Sequence, residues 1–208
     1  MKKTIITFVK LSLLIAMLSS LFPWHKLLNQ DFESKLRIYY ITYNLMFLTI
    51  ITSITWFLSL KFKKDYIKQF YRNILHITLS FNTALILIFW PIYFTDKKLL
   101  LSDSVVKHKI YGNIFWQLLE HFIPFIYTFI SLKDVKFTTS SDKYILITFL
   151  YYSIVLIIHK KIYDGYPYKF MKLLDKSIFY IPIVIVFTSL FCLLINRVYL
   201  YVNKKVIN

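Results

Sequence analysis

The sequence predicts an all-α fold, an integral membrane bundle of six transmembrane helices, and three observations carry that prediction. The 208-residue chain is 58% hydrophobic. Six apolar runs are each long enough to cross roughly 30 Å of hydrocarbon at about 1.5 Å per helical residue. The polar stretches between them are too short to cover so many buried helices in water. With no linker rich in Ser, Gly or Pro and no internal repeat, residues 1–208 read as one domain.

The first run lies near 4–23. Lys2 and Lys3 before it and Ser19 and Ser20 near its end outline a signal peptide. The apolar stretch nevertheless continues through Leu21 and Phe22 to an aromatic boundary at Trp24, which predicts an uncleaved first helix. The second run, near 38–60, is followed by the densest basic patch, KFKKDYIKQFYR at 61–72, read as a juxtamembrane loop. The third, near 74–95, closes in FWPIYFTDKK at 89–98. The fourth, near 111–132, carries Glu120, His121 and Pro124. The fifth, near 143–159, is the shortest, suited to a thinned bilayer or to contact with neighbouring helices, and leads into HKKIYDGYPYKF at 159–170. The sixth lies near 177–202.

Composition removes several function classes. Gly112 and Gly165 are the only glycines, too far apart for a phosphate loop or a dinucleotide fingerprint. Cys192 is the single cysteine, so there is no disulfide framework and no thiolate metal site. The five histidines show no HxxH or HxxxH spacing, and neither a metal nor another cofactor is expected. The net charge of +16 is spread over every loop, which suits a lipid bilayer with anionic headgroups and predicts no nucleic-acid partner. Lys and Arg divide 14 against 12 between the two membrane faces, so charge does not set the orientation. The face reached by the loops after the first, third and fifth helices is called face B, and the other face A.

Face B is where the polar outliers collect. By connectivity, Thr42 lies in the first turns of the second helix and the Glu120–His121 pair in the first half of the fourth. The segments 89–98 and 159–170 end there too. Aromatic anchors decorate any membrane interface, which accounts for Trp90, Tyr93, Tyr166 and Tyr168. An ionisable pair at membrane depth asks for more, because such groups are costly in lipid and usually face protein or a wet cavity.

A histidine there can act as general acid or base, ligate a metal, or bond a neighbouring helix. Pro124 removes the backbone bond to the carbonyl of Glu120, which predicts a kink beside His121. No GxSxG elbow exists to supply a serine nucleophile. Most hydroxyls in the apolar runs, such as Thr49, Thr52, Ser53, Thr55, Thr78 and Ser80, are expected to bond the preceding turn of their own helix. Thr42 differs by its place on face B. Upright helices would leave Thr42 and His121 about 5–9 Å apart in depth, a gap that tilt has to close.

Four ordered stretches resemble the androgen-induced-gene family of multi-pass membrane proteins: YITYN at 40–44, IFWPIYFTD at 88–96, EHFIP at 120–124 and YDGYPYKFMKLL at 163–174. The resemblance covers helices two to five. It implies a threonine hydrolase acting on fatty acid esters of hydroxy fatty acids, with Thr42 as nucleophile and His121 as the base that activates it. The implied partner is a hydrophobic ester substrate, and the implied location is the endoplasmic reticulum or another endomembrane. Tyr168, Tyr40 and Asn44 are candidate donors to the oxyanion, and His159 is a candidate for the same cavity. Two other classes stay open: a non-catalytic membrane scaffold of the same fold, and a lipid transporter. Absent repeats and Gly-broken helices weigh against the transporter.

Overall fold

The computed structural model describes residues 2–21, 40–100, 113–134, 136–138, 142–163, 168, 171 and 180–207. These are all-α, in six helices: α1 (Lys2–Leu21), α2 (Ile41–Phe62), α3 (Asp65–Asp96), α4 (Ile114–Ile130), α5 (Asp142–Tyr163) and α6 (Tyr180–Ile207). Short 3-10 turns extend α3 at Lys97–Leu99 and α4 at Ser131–Lys133. Five segments are long and apolar enough to cross a membrane: Thr4–Leu21, Ile41–Phe62, Asp65–Leu99, Asp142–Ile162 and Val186–Lys205. The chain is therefore an integral multi-pass membrane protein. At 17 residues, α4 is the short one.

The side-chain distribution is that of a protein solvated by lipid. Phe8 and Phe187 are 70% and 71% exposed, while Thr49, Thr52, Ser53, His76, Asn82 and Asn196 are completely buried. Apolar residues point outward and polar ones inward, because inside hydrocarbon a hydroxyl or amide has partners only in the protein. The α2–α3 interface shows how they are satisfied. Thr49, Thr52, Ser53, Thr55 and Thr78 bond carbonyls of their own helices. Two bonds then cross the interface: the Asn82 amide donates to the Thr49 hydroxyl at 3.1 Å, and Thr52 and Thr78 share a 3.0 Å bond. Small side chains let the backbones approach, and the crossing bonds set the register.

α3 occupies the centre, against α2, α4, α5 and α6, while α1 packs on α4 and α2. The main apolar core lies along α3 with Leu75, Leu79 and Phe81, against Ile145 and Phe149 of α5 and Cys192 and Ile195 of α6.

Three boundaries differ from expectation. The patch at 61–72 is mostly helix, not loop: α2 ends at Lys63 in the left-handed conformation (φ 51°), its N–H returning to the Ser59 carbonyl at 3.2 Å, and α3 starts at Asp65. One left-handed residue reverses the chain, so the following residues, none of them Gly or Pro, enter α3 at once. α3 is consequently 32 residues long, about 48 Å, which exceeds the hydrocarbon thickness. α5 reaches Tyr163 because Lys160 and Lys161 suit a helix C-terminus, so it is not a short span. α6 runs on to Ile207. Trp24, Gly112, Gly165, Tyr166 and residues 177–179 lie outside the described residues.

Candidate active site

The helix α2 opens at Tyr40, whose extended backbone (φ −80°, ψ 132°) ends the preceding chain and whose side chain makes no capping bond. The first N–H groups of a helix have no carbonyl within it to bond. Tyr168, from the segment between α5 and α6, takes that role: its phenol oxygen accepts the Ile41 N–H at 3.1 Å. The same phenol interacts with the side chain and backbone of Thr42. Its ring meets Tyr40 edge-on at 5.2 Å and 86°. Tyr152 of α5 joins from the side, interacting with Tyr168 and with the Ile41 backbone. Burial pushes the Tyr168 phenol pKa upward against the opposing bond from Thr42, so it stays a neutral O–H group. Asn44 donates its amide to the Tyr40 carbonyl at 3.0 Å, an i to i−4 contact within the first turn.

His121 lies in the second turn of α4 and is buried. Its ring stacks on Phe89 of α3, with centroids 3.5 Å apart and planes at 20°. Its Nδ1 is buried without a hydrogen-bond partner among the described residues. The neighbouring Glu120 points elsewhere, as the 100° step between adjacent helical residues requires. Its Oε1 accepts the Tyr43 phenol at 2.7 Å and the Trp116 indole N–H at 2.8 Å. Two neutral donors, one from α2 and one from α4, hold this carboxyl. α4 continues through Pro124, and Thr128 bonds the Pro124 carbonyl at 3.0 Å.

Tyr43 and Glu120 thus tie together the residues adjacent to Thr42 and His121. Thr42 itself meets Tyr168, and His121 meets Phe89; no hydrogen bond joins Thr42 to His121 among the described residues. An apolar cavity of about 220 Å³ lies among α3, α5 and α6. Ile41, Phe89, Tyr152 and Tyr168 form part of its wall, and neither Thr42 nor His121 does. His159 is buried near the end of α5 and does not line the cavity. Among the described residues no three metal-ligating side chains converge. No family model, no curated protein and no solved structure matches the chain.

The sequence reading passed over a second polar centre. Lys10, in the middle of α1, is completely buried and forms an ion pair with Asp134, which follows the turn after α4. The Tyr71 phenol donates to the same carboxylate at 2.9 Å, and the Lys10 ammonium lies 4.1 Å from the Trp56 ring centroid. A lone lysine inside an apolar run was the available signal. Tyr152 was also missed, since one more tyrosine in an aromatic-rich helix carries no signal of its own.

Proposed function

We propose that the chain is a membrane-embedded hydrolase of hydrophobic carboxylic esters, with Thr42 as nucleophile and His121 as general base. One observation carries the reading: described residues from each of the four stretches that resemble the androgen-induced-gene family lie close together. Tyr168 holds the start of α2 at Ile41, Tyr43 bonds Glu120, Phe89 stacks on His121, and Ile41, Phe89 and Tyr168 share one cavity wall. Segments separated by up to 127 residues in the chain meet at this site.

In the reaction the Thr42 Oγ1 attacks the ester carbonyl carbon as its proton passes to His121. Collapse of the tetrahedral intermediate breaks the ester C–O bond, and the departing alcohol takes that proton. Water then attacks the acyl-threonine, His121 accepting its proton and returning it to Thr42 as the fatty acid leaves. The unpartnered Nδ1 is an atom able to receive a proton. The α2 N-terminus and the neutral Tyr168 phenol are the donors nearest Thr42 for a developing oxyanion. The Thr42–His121 contact has to tighten when substrate binds, as catalytic hydrogen bonds often do.

The reading places α4 as a sixth crossing. Its 17 residues and the turn to Lys133 span about 26–30 Å, and it packs against α1, α2 and α3. An endomembrane location belongs to the same reading. A second reading, a non-catalytic membrane protein of this fold, is favoured by the attachment of Thr42 to Tyr168, which also serves as a helix cap.

A fluorophosphonate probe and a panel of lipid esters separate the two. The hydrolase reading expects labelling and ester cleavage that both vanish in Thr42→Ala and fall about 10²–10⁴-fold in His121→Ala. Undiminished labelling in Thr42→Ala would end the assignment.

A further inference from the structure

Toward face A, away from the candidate active site, the Lys10 ammonium is held as a ligand cation would be. It forms its ion pair with the Asp134 carboxylate, and the Tyr71 phenol donates to the same carboxylate at 2.9 Å. Two aromatic faces close over it: the Trp56 ring centroid lies 4.1 Å away and the Tyr127 centroid 5.5 Å away. A carboxylate beside two ring faces is an arrangement that binds ammonium ligands, because the ring quadrupoles attract the cation.

Every part of this site except the cation comes from outside α1. Trp56 belongs to α2, Tyr71 to α3 and Tyr127 to α4, Asp134 follows the turn that ends α4, and these three helices pack on one another. α1 lies at the periphery on α4 and α2, with Ile5, Phe8 and Ile15 more than half exposed. A lipid headgroup can reach the site. Trp56 stands six residues before the end of α2 at Phe62, and Tyr71 six after the start of α3 at Asp65, about 9 Å along each helix. α3 exceeds the hydrocarbon thickness by about 18 Å, and half of that excess puts the same 9 Å at the hydrocarbon boundary. The Asp134 side chain is 17% exposed, so the carboxylate is open to face A while Lys10 is completely buried.

We propose that Trp56, Tyr71, Tyr127 and Asp134 form a binding site for the primary ammonium headgroup of phosphatidylethanolamine, and that Lys10 is a tethered occupant which the headgroup displaces together with α1. The carboxylate selects a primary ammonium, because a trimethylated nitrogen has no N–H to donate to it. Tethering gives Lys10 a high effective concentration, and an abundant bilayer lipid is a competitor on the same scale. The exchange leaves Asp134 paired throughout, since one ammonium replaces another. Lys10, eight residues from the start of α1, then extends its stem to the face A headgroups. The inference concerns neither Thr42 nor His121 and does not rest on the hydrolase reading.

The test uses the full-length protein. In Lys10→Ala the site loses its tethered ammonium, and ethanolamine is expected to raise the unfolding temperature in detergent saturably by several degrees, with choline several-fold weaker. Adding Asp134→Asn is expected to abolish the response. If Lys10→Ala folds only with ethanolamine present, the yield of folded protein gives the same readout. Displacement of α1 is read with Lys10 intact, through a disulfide between Ser20→Cys and Met46→Cys, whose native side chains meet at 3.0 Å. Oxidised in nanodiscs, that disulfide is expected to form several-fold less in phosphatidylethanolamine than in phosphatidylcholine. Adding Lys10→Ala is expected to equalise the two lipids, because the truncated side chain leaves room for the headgroup with α1 in place. Ethanolamine added to phosphatidylcholine nanodiscs separates the lipid headgroup from a free amine. An absence of ammonium-dependent stabilisation, a response that survives Asp134→Asn, equal crosslinking in the two lipids, or a fall caused by the free amine but not by the lipid would each overturn the inference.

Discussion

The two polar centres of the bundle are built on opposite principles. Toward face A, Lys10 and Asp134 form an ion pair that Tyr71 and the Trp56 ring enclose, bringing together α1, α2, α3 and the end of α4. Opposite charges are matched there. Toward face B, Tyr152 and Tyr168 line an apolar cavity, Thr42 meets Tyr168, and the buried His121 Nδ1 has no hydrogen-bond partner among the described residues. A matched charge pair resists separation because each lone ion would be left in a low-dielectric interior. An apolar cavity beside an unsatisfied polar atom gives up packing and hydrogen bonding that a ligand can restore. Under the proposed function, the first centre serves assembly and the second ligand chemistry.

Substitutions can break that division. The largest expected effect is on catalysis: Thr42→Ala should lower ester turnover by about 10⁴-fold or more, on the order of 5 kcal/mol in the barrier, with thermal stability changed by only about 1 kcal/mol. A large stability loss in that variant would make Thr42 a structural residue and erase the contrast. Lys10→Leu should act the other way, destabilising the protein by about 3–5 kcal/mol in detergent unfolding because Asp134 loses its partner. Lys10→Leu combined with Asp134→Leu should recover much of that loss. The folded fraction of the single variant should keep its face B labelling; loss of labelling without unfolding would show that the two centres are coupled.

Glu120 tests the boundary between the roles. Glu120→Ala leaves the Tyr43 phenol and the Trp116 indole without this acceptor and should cost about 2 kcal/mol, whereas Glu120→Gln keeps an oxygen for both and should be nearly neutral. Equal losses in the two variants would mean that the charge, not the acceptor, matters. The smallest effect is expected for Tyr43→Phe, about 1 kcal/mol, measured as a shift in the same unfolding transition.

Legibility from sequence followed the strength of local signals. The apolar runs of α1, α2 and α6 mark membrane helices wherever they pack, so their existence and approximate positions could be read directly. The start of α3 could not, because a polar stretch such as DYIKQFYR is equally compatible with a loop or a solvated helix until the left-handed turn at Lys63 commits it. Connectivity placed Thr42 and the Glu120–His121 pair toward one face, since antiparallel helices joined by short segments leave little choice. It did not indicate that Glu120 would take Tyr43 and Trp116, or that His121 would lie on Phe89. Those pairings depend on helix rotation, and a difference of 100° exchanges one neighbour's surroundings for another's.

Hydrophobicity and length by themselves determined that this chain is a helical membrane protein, because only a helix satisfies its own backbone while crossing lipid in a single segment. Tertiary structure decided what the polar residues do. Lys10 became half of an ion pair, Tyr168 the cap of α2, and the space between α3, α5 and α6 an apolar cavity. A side chain's partners in hydrocarbon are set by which helix faces meet, and that information lies between segments rather than within any one of them.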